Sequence, residues 1–340
     1  MQNSHEIDHQ RQNPELHYNF VFFFARDDYW KAILGKEVYD SPNVHIYQEA
    51  FESGVFLQKL FKIHWAYRIN RKIKLPFKAI WFKRMYTQQF TNDLPLCFIY
   101  MGGNNIYADG GFSNYVRRKN KKNRQVILHN DLIAKKCNYD YSIIRNKVDL
   151  ATTYDLSEAQ KYNIHYFRED TYSKIIELPD EPSYDCDVYF LGAAKDRLNE
   201  IMDVYFRLTE SGLRCKFIIT GVKDENKVKS PGLFYSNGIT YKENIKNVIS
   251  CRCVLEIIQK GSMDITTRAL EAIAYQRKFL TNCQVVPENY YNEGQLQVFK
   301  AAKDIDIMFL KDNYDQKDFP PCFDMNPYRR LYDIQEQLEE

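Results

Sequence analysis

Asp187-Val188-Tyr189-Phe190-Leu191-Gly192-Ala193-Ala194-Lys195-Asp196-Arg197 is the stretch on which the reading of this chain turns. Its apolar run shows no polar alternation, as expected of a strand buried on both faces of a parallel sheet. It passes through a glycine into helical spacing from Arg197 to Ser211. Downstream the pattern recurs: a strand at Cys215 to Thr220, a helix from Tyr241 to Ser250, a strand at Val254 to Ile258, a helix from Thr267 to Tyr275 and a strand at Lys278 to Thr281. Strands alternating with helices predict an α/β fold, a doubly wound parallel sheet with helices on both faces.

Upstream, a first series has the same character. Apolar runs occur at Phe20 to Phe24, Cys97 to Met101, Val126 to Leu128 and Val148 to Thr153. The acidic, Pro-bearing stretch Pro179-Asp180-Glu181-Pro182-Ser183 reads as the hinge between the two series. At 340 residues the chain exceeds what one core usually serves, so two domains are expected. The boundaries read as a disordered leader at 1–16, a first Rossmann-like domain at 17–178, a second at 179–325, and a terminal helix at 326–340 that starts after Pro327 and can cross back to the first domain.

Charge is distributed unevenly. The formal net charge is +2, yet residues 51–150 hold 19 basic and 6 acidic side chains, a balance of +13, so the other 240 residues sum to −11. Such polarity suggests that the two halves meet different partners. Between Phe61 and Tyr86 there are eight cations and no acid, interleaved with aromatics. Lys62, Trp65, Arg68, Arg71, Lys72, Lys74, Lys78, Trp81, Lys83 and Arg84 are therefore expected to face an anionic membrane surface. The competing readings are a helix pair whose rings face the core and a nucleic-acid surface, for which no RNP-type or zinc-finger signature is present. Arg117 to Arg124 reads as a solubilising turn that enlarges the same positive face.

The eight cysteines sit mostly inside apolar runs, as packed free thiols. Cys251 and Cys253 lack the companions of a zinc site. The first residues lack the apolar centre of a signal peptide, and no stretch approaches the ~18 apolar residues of a membrane span. These features give a cytoplasmic expectation, with reduced thiols.

Four pieces of the second series carry chemistry. Gly192, Lys195 and Arg197 follow a strand, where backbone amides and cations can meet a diphosphate. Gly221 ends another strand. Tyr241 precedes a helix within reach of a nucleobase, or else belongs to an ordinary helix start capped by Thr240. In Gln259 to Ala274, Asp264, Thr266 and Thr267 open a helix on which Arg268 and Glu271 share a face. A cation there suits a leaving diphosphate, and a carboxylate suits ribose hydroxyls.

Tyr184 to Val286, with D-x-Y-F-L-G-x-x-x-x-R and D-I-T-T-R-A-L-E-A-I-A-Y-Q-R-K-F-L-T-N, resembles the donor half of GT-B glycosyltransferases. The likeness is greatest to bacterial enzymes of capsule, exopolysaccharide and lipopolysaccharide biosynthesis. Lys147 to Tyr162 resembles the last strand and following helix of their first domain, so the likeness covers about half the chain. It implies two Rossmann-like domains facing across a cleft, with Glu271 on the donor ribose, Arg268 and Arg197 on the diphosphate, and Gly192 giving the backbone close approach. Two positions depart from the pattern. Met263 stands where the common retaining members carry a first Glu, with Asp264 beside it, and Gln276 stands where a Gly is usual in the turn after the helix.

The expected activity is transfer of a sugar from a nucleotide sugar to a glycan acceptor, lipid-linked by expectation, at the inner face of the cytoplasmic membrane. Such a transferase needs no cofactor and no metal: Asp185-Cys186-Asp187 is formally D-x-D but precedes its strand, at the wrong end for a ligand. An acceptor base would come from the first domain, with His129 leading and Asp131 and Asp109 behind it. Gly102 to Asn105 would shape the acceptor side. The alternatives are a non-catalytic nucleotide-sugar module and, through residues 61–86, a nucleic-acid-binding protein.

Overall fold

The computed structural model describes all residues except 1–14, 24–27, 48–53, 67, 68, 70–72, 74, 87–89, 102–110, 134–144, 169 and 322. Among the described residues there are two six-stranded sheets, parallel throughout. The first has the order β2-β1-β3-β4-β5-β6, from β1 (Asn19–Phe23), β2 (Val44–Ile46), β3 (Leu96–Met101), β4 (Arg124–His129), β5 (Leu150–Thr153) and β6 (His165–Tyr166). The second has the order β12-β11-β10-β7-β8-β9, from β7 (Cys186–Ala193), β8 (Cys215–Thr220), β9 (Leu233–Ser236), β10 (Cys251–Glu256), β11 (Lys278–Thr281) and β12 (Leu296–Val298). This second order is that of a dinucleotide-binding Rossmann sheet, in which the winding direction reverses between β7 and β10. All five residues of β1 and all four of β11 are buried, which accounts for the apolar stretch Phe20 to Phe23 in β1 and for Phe279 and Leu280 in β11.

The helices cover these sheets through one apolar stripe each. In Leu198–Glu210 the buried residues are Ile201, Val204, Tyr205 and Leu208, spaced for one face, and burial of each contributes about 1.5–3 kcal/mol. The helix ends at Ser211, and Gly212 follows at φ +81°, a conformation that favours glycine. Tyr241–Ile249 starts at Thr240, whose hydroxyl accepts the Glu243 amide at 3.2 Å. In the turn after Thr267–Ala274, Gln276 adopts φ +55°, the left-handed conformation that a glycine would take without strain.

One hydrophobic core runs through both halves. Phe20, Trp30 and Val126 join Tyr189, Leu270 and Tyr275 in a single cluster, while each sheet has a further cluster of its own. Across this seam the Tyr172 and Tyr241 hydroxyls lie 3.0 Å apart, and the Ile175 amide donates to the Tyr275 hydroxyl at 3.1 Å. The terminal helix Arg329–Glu339 returns to the first domain. Leu331 and Ile334 enter the shared core, and the His17 amide donates to Gln335 Oε1 at 2.6 Å.

The basic segment differs from its reading in the sequence. Trp65 and Trp81 do not face outward: they are 5% and 2% exposed, packed with Phe61 against the first sheet. An indole contributes most when its ring leaves water, and the Trp81 Nε1–H is satisfied by His64 Nδ1 at 2.7 Å. Lys78 is half-buried, its ammonium 4.9 Å above the Trp65 ring. Lys62, Lys83 and Arg84 are exposed. Arg68, Arg71, Lys72 and Lys74 lie outside the described residues, as do Asp109 and the 102–105 stretch. The 117–124 cluster closes a turn, with Arg117 paired to Asp149 at 3.1 Å and the Arg124 guanidinium donating to three turn carbonyls. Asp187, of the formal D-x-D, is held by Arg214 at 3.0 Å, at the amino end of β7.

Candidate active site

The ladder between β7 and β10 stops at Tyr189 opposite Val254, although β7 runs on to Ala193 beside β8 and β10 runs on to Glu256. The two strands part at the reversal point of the sheet, where ligands of such sheets bind. The fork holds a cavity of about 190 Å³. Phe190 and Leu191 line one side and Leu255, Glu256 and Ile257 the other, with Arg197, Thr266 and Arg268 on the wall. Tyr154, just past β5, closes it from the first domain, so the carboxyl ends of the two sheets face each other here.

Arg197 spans the fork. Its Nε donates to the Ala193 carbonyl at 3.2 Å and its Nη1 to the Ile257 carbonyl, so one guanidinium ties the two parted strands. Burial lowers its pKa, while Glu256, Asp196 and Glu200 act the other way. Gly192 is needed beside it: a Cβ there would stand 2.7 Å from Phe190 Cζ and 3.2 Å from Arg197 Nη2. Glu256, read only as part of a strand, forms the floor. Its Oε1 accepts the Thr266 amide and hydroxyl at 2.9 and 2.7 Å, and its Oε2 accepts the Thr281 hydroxyl at 2.7 Å. Burial raises its pKa against those three hydrogen bonds. The effect is to fix Thr266 as the cap of helix Thr267–Ala274, whose amino end opens toward the cavity.

The Arg268–Glu271 pair exists but divides the work differently. Glu271 is fully buried and does not line the cavity; one oxygen accepts from Asn244 Nδ2 at 3.1 Å and the other from Arg268 Nη1. Expected at a ribose, it instead anchors the guanidinium, which stays about one-fifth exposed on the wall.

Asp264, expected at the donor, reaches into the first domain. It accepts the Leu156 amide at 3.0 Å and the Tyr166 hydroxyl at 3.1 Å. Asp155 makes the reciprocal reach, accepting the Ser262 hydroxyl at 3.1 Å and the Met263 amide at 2.9 Å. Each carboxylate thus grips the loop that bears the other, which fixes how the two domains meet beside the cavity.

Thr267 also meets the first domain, its hydroxyl 3.3 Å from that of Tyr29. Tyr241 is half-buried, edge-on to Tyr29 at 5.2 Å, and does not line the cavity. Lys195, at φ +42°, and Gly221, at φ +72°, are exposed at their strand ends and stand outside the cavity lining. The structure therefore gathers Arg197, Thr266 and Arg268, with Gly192 behind Arg197. It adds Tyr154 and Glu256, as well as Gln259 and Ser262, which the motif contains but which had no assigned role. The signal for Glu256 is a lone carboxylate at the carboxyl end of an apolar strand.

On the first-domain side, His129 ends β4 and lines a pocket of about 20 Å³ with Tyr154 and Arg330, so Tyr154 borders both spaces. Burial pushes the His129 pKa down to about 4, which makes the ring neutral at pH 7 and a weak proton acceptor. Asp131 Oδ1 accepts the Leu132 amide at 2.9 Å. A larger cavity of about 410 Å³ lies where both domains meet the terminal helix. It is lined by Tyr166, Phe167, Arg168, Asp170, Tyr290 and Arg329, among others.

No protein-family model matches the chain, and no curated protein sequence does. Among solved structures, the chain is similar to T4 phage BGT in complex with its UDP-glucose substrate, at 11% identity over 94% of this chain and 96% of that one, with a TM-score of 0.43. It is also similar to an alpha-glucosyltransferase in complex with UDP and a 13-mer DNA containing a HMU base, at 8% identity over 94% and 92% of the two chains, with a TM-score of 0.46. By its own topology, two Rossmann-like sheets with carboxyl ends facing across a cleft, the chain has the GT-B arrangement.

Proposed function

We propose that the protein is a glycosyltransferase that takes its sugar from a nucleotide sugar bound in the β7/β10 fork. The observation that carries this reading is the fork itself: a cavity at the reversal point of a Rossmann sheet, walled by Arg197, Arg268 and the Thr266-capped helix start. As the acceptor hydroxyl oxygen bonds to the anomeric carbon, the bond from that carbon to the diphosphate breaks and its electron pair leaves on the diphosphate. The hydroxyl proton passes to a base or to solvent. Two guanidiniums and a helix N-terminus supply positive potential where that negative charge collects, which lowers the barrier. Glu271 anchors the Arg268 guanidinium, and Glu256, on the cavity floor, holds Thr266 in place.

The acceptor is a glycan, lipid-linked in our reading, seated in the larger cavity, where Tyr166, Phe167 and Tyr290 offer rings and Arg168, Asp170 and Arg329 offer hydrogen bonds to sugar hydroxyls. The Tyr166–Asp264 hydrogen bond links the two spaces. Tyr166 lines one, and Thr266, two residues past Asp264, lines the other.

The test is a thermal-shift panel of nucleoside diphosphates and nucleotide sugars, followed by turnover assays. A ligand at 100 times its Kd stabilises the folded state by about 2.7 kcal/mol. The expected result is a shift with at least one nucleoside diphosphate, and donor hydrolysis or transfer that Arg268→Ala and Arg197→Ala abolish. If no nucleoside diphosphate shifts the transition, the donor site is wrong. Binding without turnover would make the protein a nucleotide-sugar-binding module instead.

A further inference from the structure

Half of the large hydrophobic side chains exposed among the described residues, seven of fourteen, fall within residues 55–80. They do not include the tryptophans. Helix Val55–His64 and the following turn at Lys78–Trp81 turn Phe61, Trp65 and Trp81 inward, and by doing so turn a second apolar set outward. Phe56 is 76% exposed and Phe77 78%, with Val55, Ile63, Ile73 and Ile80 each at 50% or more. The two elements are packed on each other, since the Phe61 and Trp81 rings meet edge to face at 5.4 Å and Trp81 bonds His64. The outward side chains therefore stand on two elements that are packed together.

Phe77 is the most telling member. It sits at φ +63°, a left-handed conformation that is costly for a bulky residue, and its ring gains no burial in return. Exposed cations accompany the apolar residues: Lys59 and Lys62 on the helix, and Lys83 and Arg84 just past the turn. No acidic residue occurs between positions 61 and 86. Apolar side chains ringed by cations complement the headgroup layer of an anionic bilayer, into which rings and branched chains insert shallowly while lysines remain at phosphate level. A protein partner with an apolar face would need acidic groups to match. A nucleic acid would match the charge but leave Phe56, Ile63 and Phe77 in water. Among the described residues no helix is long and apolar enough to cross a membrane.

We propose that this surface docks the protein on bilayers rich in anionic phospholipid, with Phe56, Ile63, Phe77 and Ile80 as the inserting residues and Lys59, Lys62, Lys83 and Arg84 as the headgroup contacts. The proposal stands independently of the donor site. The experiment is flotation of the full chain with vesicles of phosphatidylcholine alone and of phosphatidylcholine with 30% phosphatidylglycerol. We expect binding to the anionic vesicles at least tenfold tighter than to the neutral ones. Each cation lost, as in Lys62→Gln, should weaken partitioning about fivefold. Phe56→Ser/Phe77→Ser should weaken it at least tenfold, with the thermal midpoint and any nucleotide-induced shift unchanged, because these side chains contribute little to the core. Equal binding to both vesicle types, no binding to either, or undiminished binding by Phe56→Ser/Phe77→Ser would overturn the proposal. So would tighter binding to duplex or single-stranded nucleic acid than to anionic vesicles, or a loss of self-association in the double variant with vesicle binding intact. Because the nucleotide shift is read on the same samples, failure here is separable from failure of the donor site.

Discussion

Glu271→Gln separates two roles for one carboxylate: contact with a nucleotide, or support of the arginine beside it. Gln keeps the shape and can keep the Asn244 hydrogen bond, now 3.1 Å long, but removes the counter-charge of Arg268. Removing one partner of a buried ion pair costs about 3–5 kcal/mol, because the remaining charge is left in low dielectric. Glu271 is fully buried, whereas Arg268 is about one-fifth exposed, so its stranded charge is partly hydrated and the lower end, about 3 kcal/mol, applies. At about 2–4 °C per kcal/mol, the thermal midpoint falls by roughly 6–12 °C. Arg268→Leu should cost a similar amount, and the double Arg268→Leu/Glu271→Leu variant much less than the sum, since it removes both charges together. Urea denaturation of the four proteins measures this coupling. Nucleotide-induced thermal shift then assigns the roles: Glu271→Gln should retain the shift, and Arg268→Leu should lose it. A cost below about 1 kcal/mol for Glu271→Gln, or strictly additive single effects, would refute the buried-pair argument. Loss of the nucleotide shift with unchanged stability would show that the carboxylate meets the ligand itself.

Three further outcomes follow from the geometry. His129 is held neutral by burial, with its pKa lowered to about 4 from an unfolded value of 6.5, so its contribution is complete above pH 6.5 and is lost as pH falls toward 4. The stability advantage of wild type over His129→Gln should therefore shrink by up to about 3 kcal/mol across that window, and an advantage that grows toward pH 4 contradicts the assignment. Asp155→Ala and Asp264→Ala remove reciprocal halves of one interdomain clasp, so a double-mutant cycle should show about 0.5–3 kcal/mol of coupling; additivity would mean that the two grips act separately. Gly192→Ala pushes a methyl group against Phe190 and the Arg197 guanidinium, so nucleotide affinity should fall by tenfold or more with a modest loss of midpoint, measured by calorimetric titration. Undiminished affinity would remove Arg197 from the diphosphate site.

The central strands were legible in the sequence because each carries consecutive apolar residues that the sheet buries. Cys215–Thr220 and Lys278–Thr281 match their readings end for end. The strands that the sequence concealed are the four edge ones of the described sheets: β2, β6, β9 and β12, two to four residues long, with burial that is mostly partial. A strand paired on one side, with one face toward water, carries too few apolar residues to stand out from a loop. The placement of Arg197 and Arg268 was legible for a related reason. They follow a strand and open a helix, and that order alone puts them at the carboxyl end of a parallel sheet.

The residues that were misread or missed depend on neighbours distant in sequence. Whether Trp65 and Trp81 face lipid or core is not encoded in the interleaving of rings and cations. It is decided by which side of the helix meets the first sheet, and that placed Phe56 and Phe77 outside instead. Asp264 looks like a donor ligand until Leu156 and Tyr166 arrive from the other domain to bond it, and Glu271 looks free to bind ribose until Asn244 and Arg268 take its two oxygens. Local order along the chain therefore determined the two doubly wound sheets and the end of the second one at which Arg197 and Arg268 gather, because hydrophobic period and strand-to-helix sequence are properties of contiguous residues. The partner of each buried charge, the parting of β7 from β10 and the outward face of the basic segment were decided only by the tertiary structure, because each depends on groups that packing alone brings together.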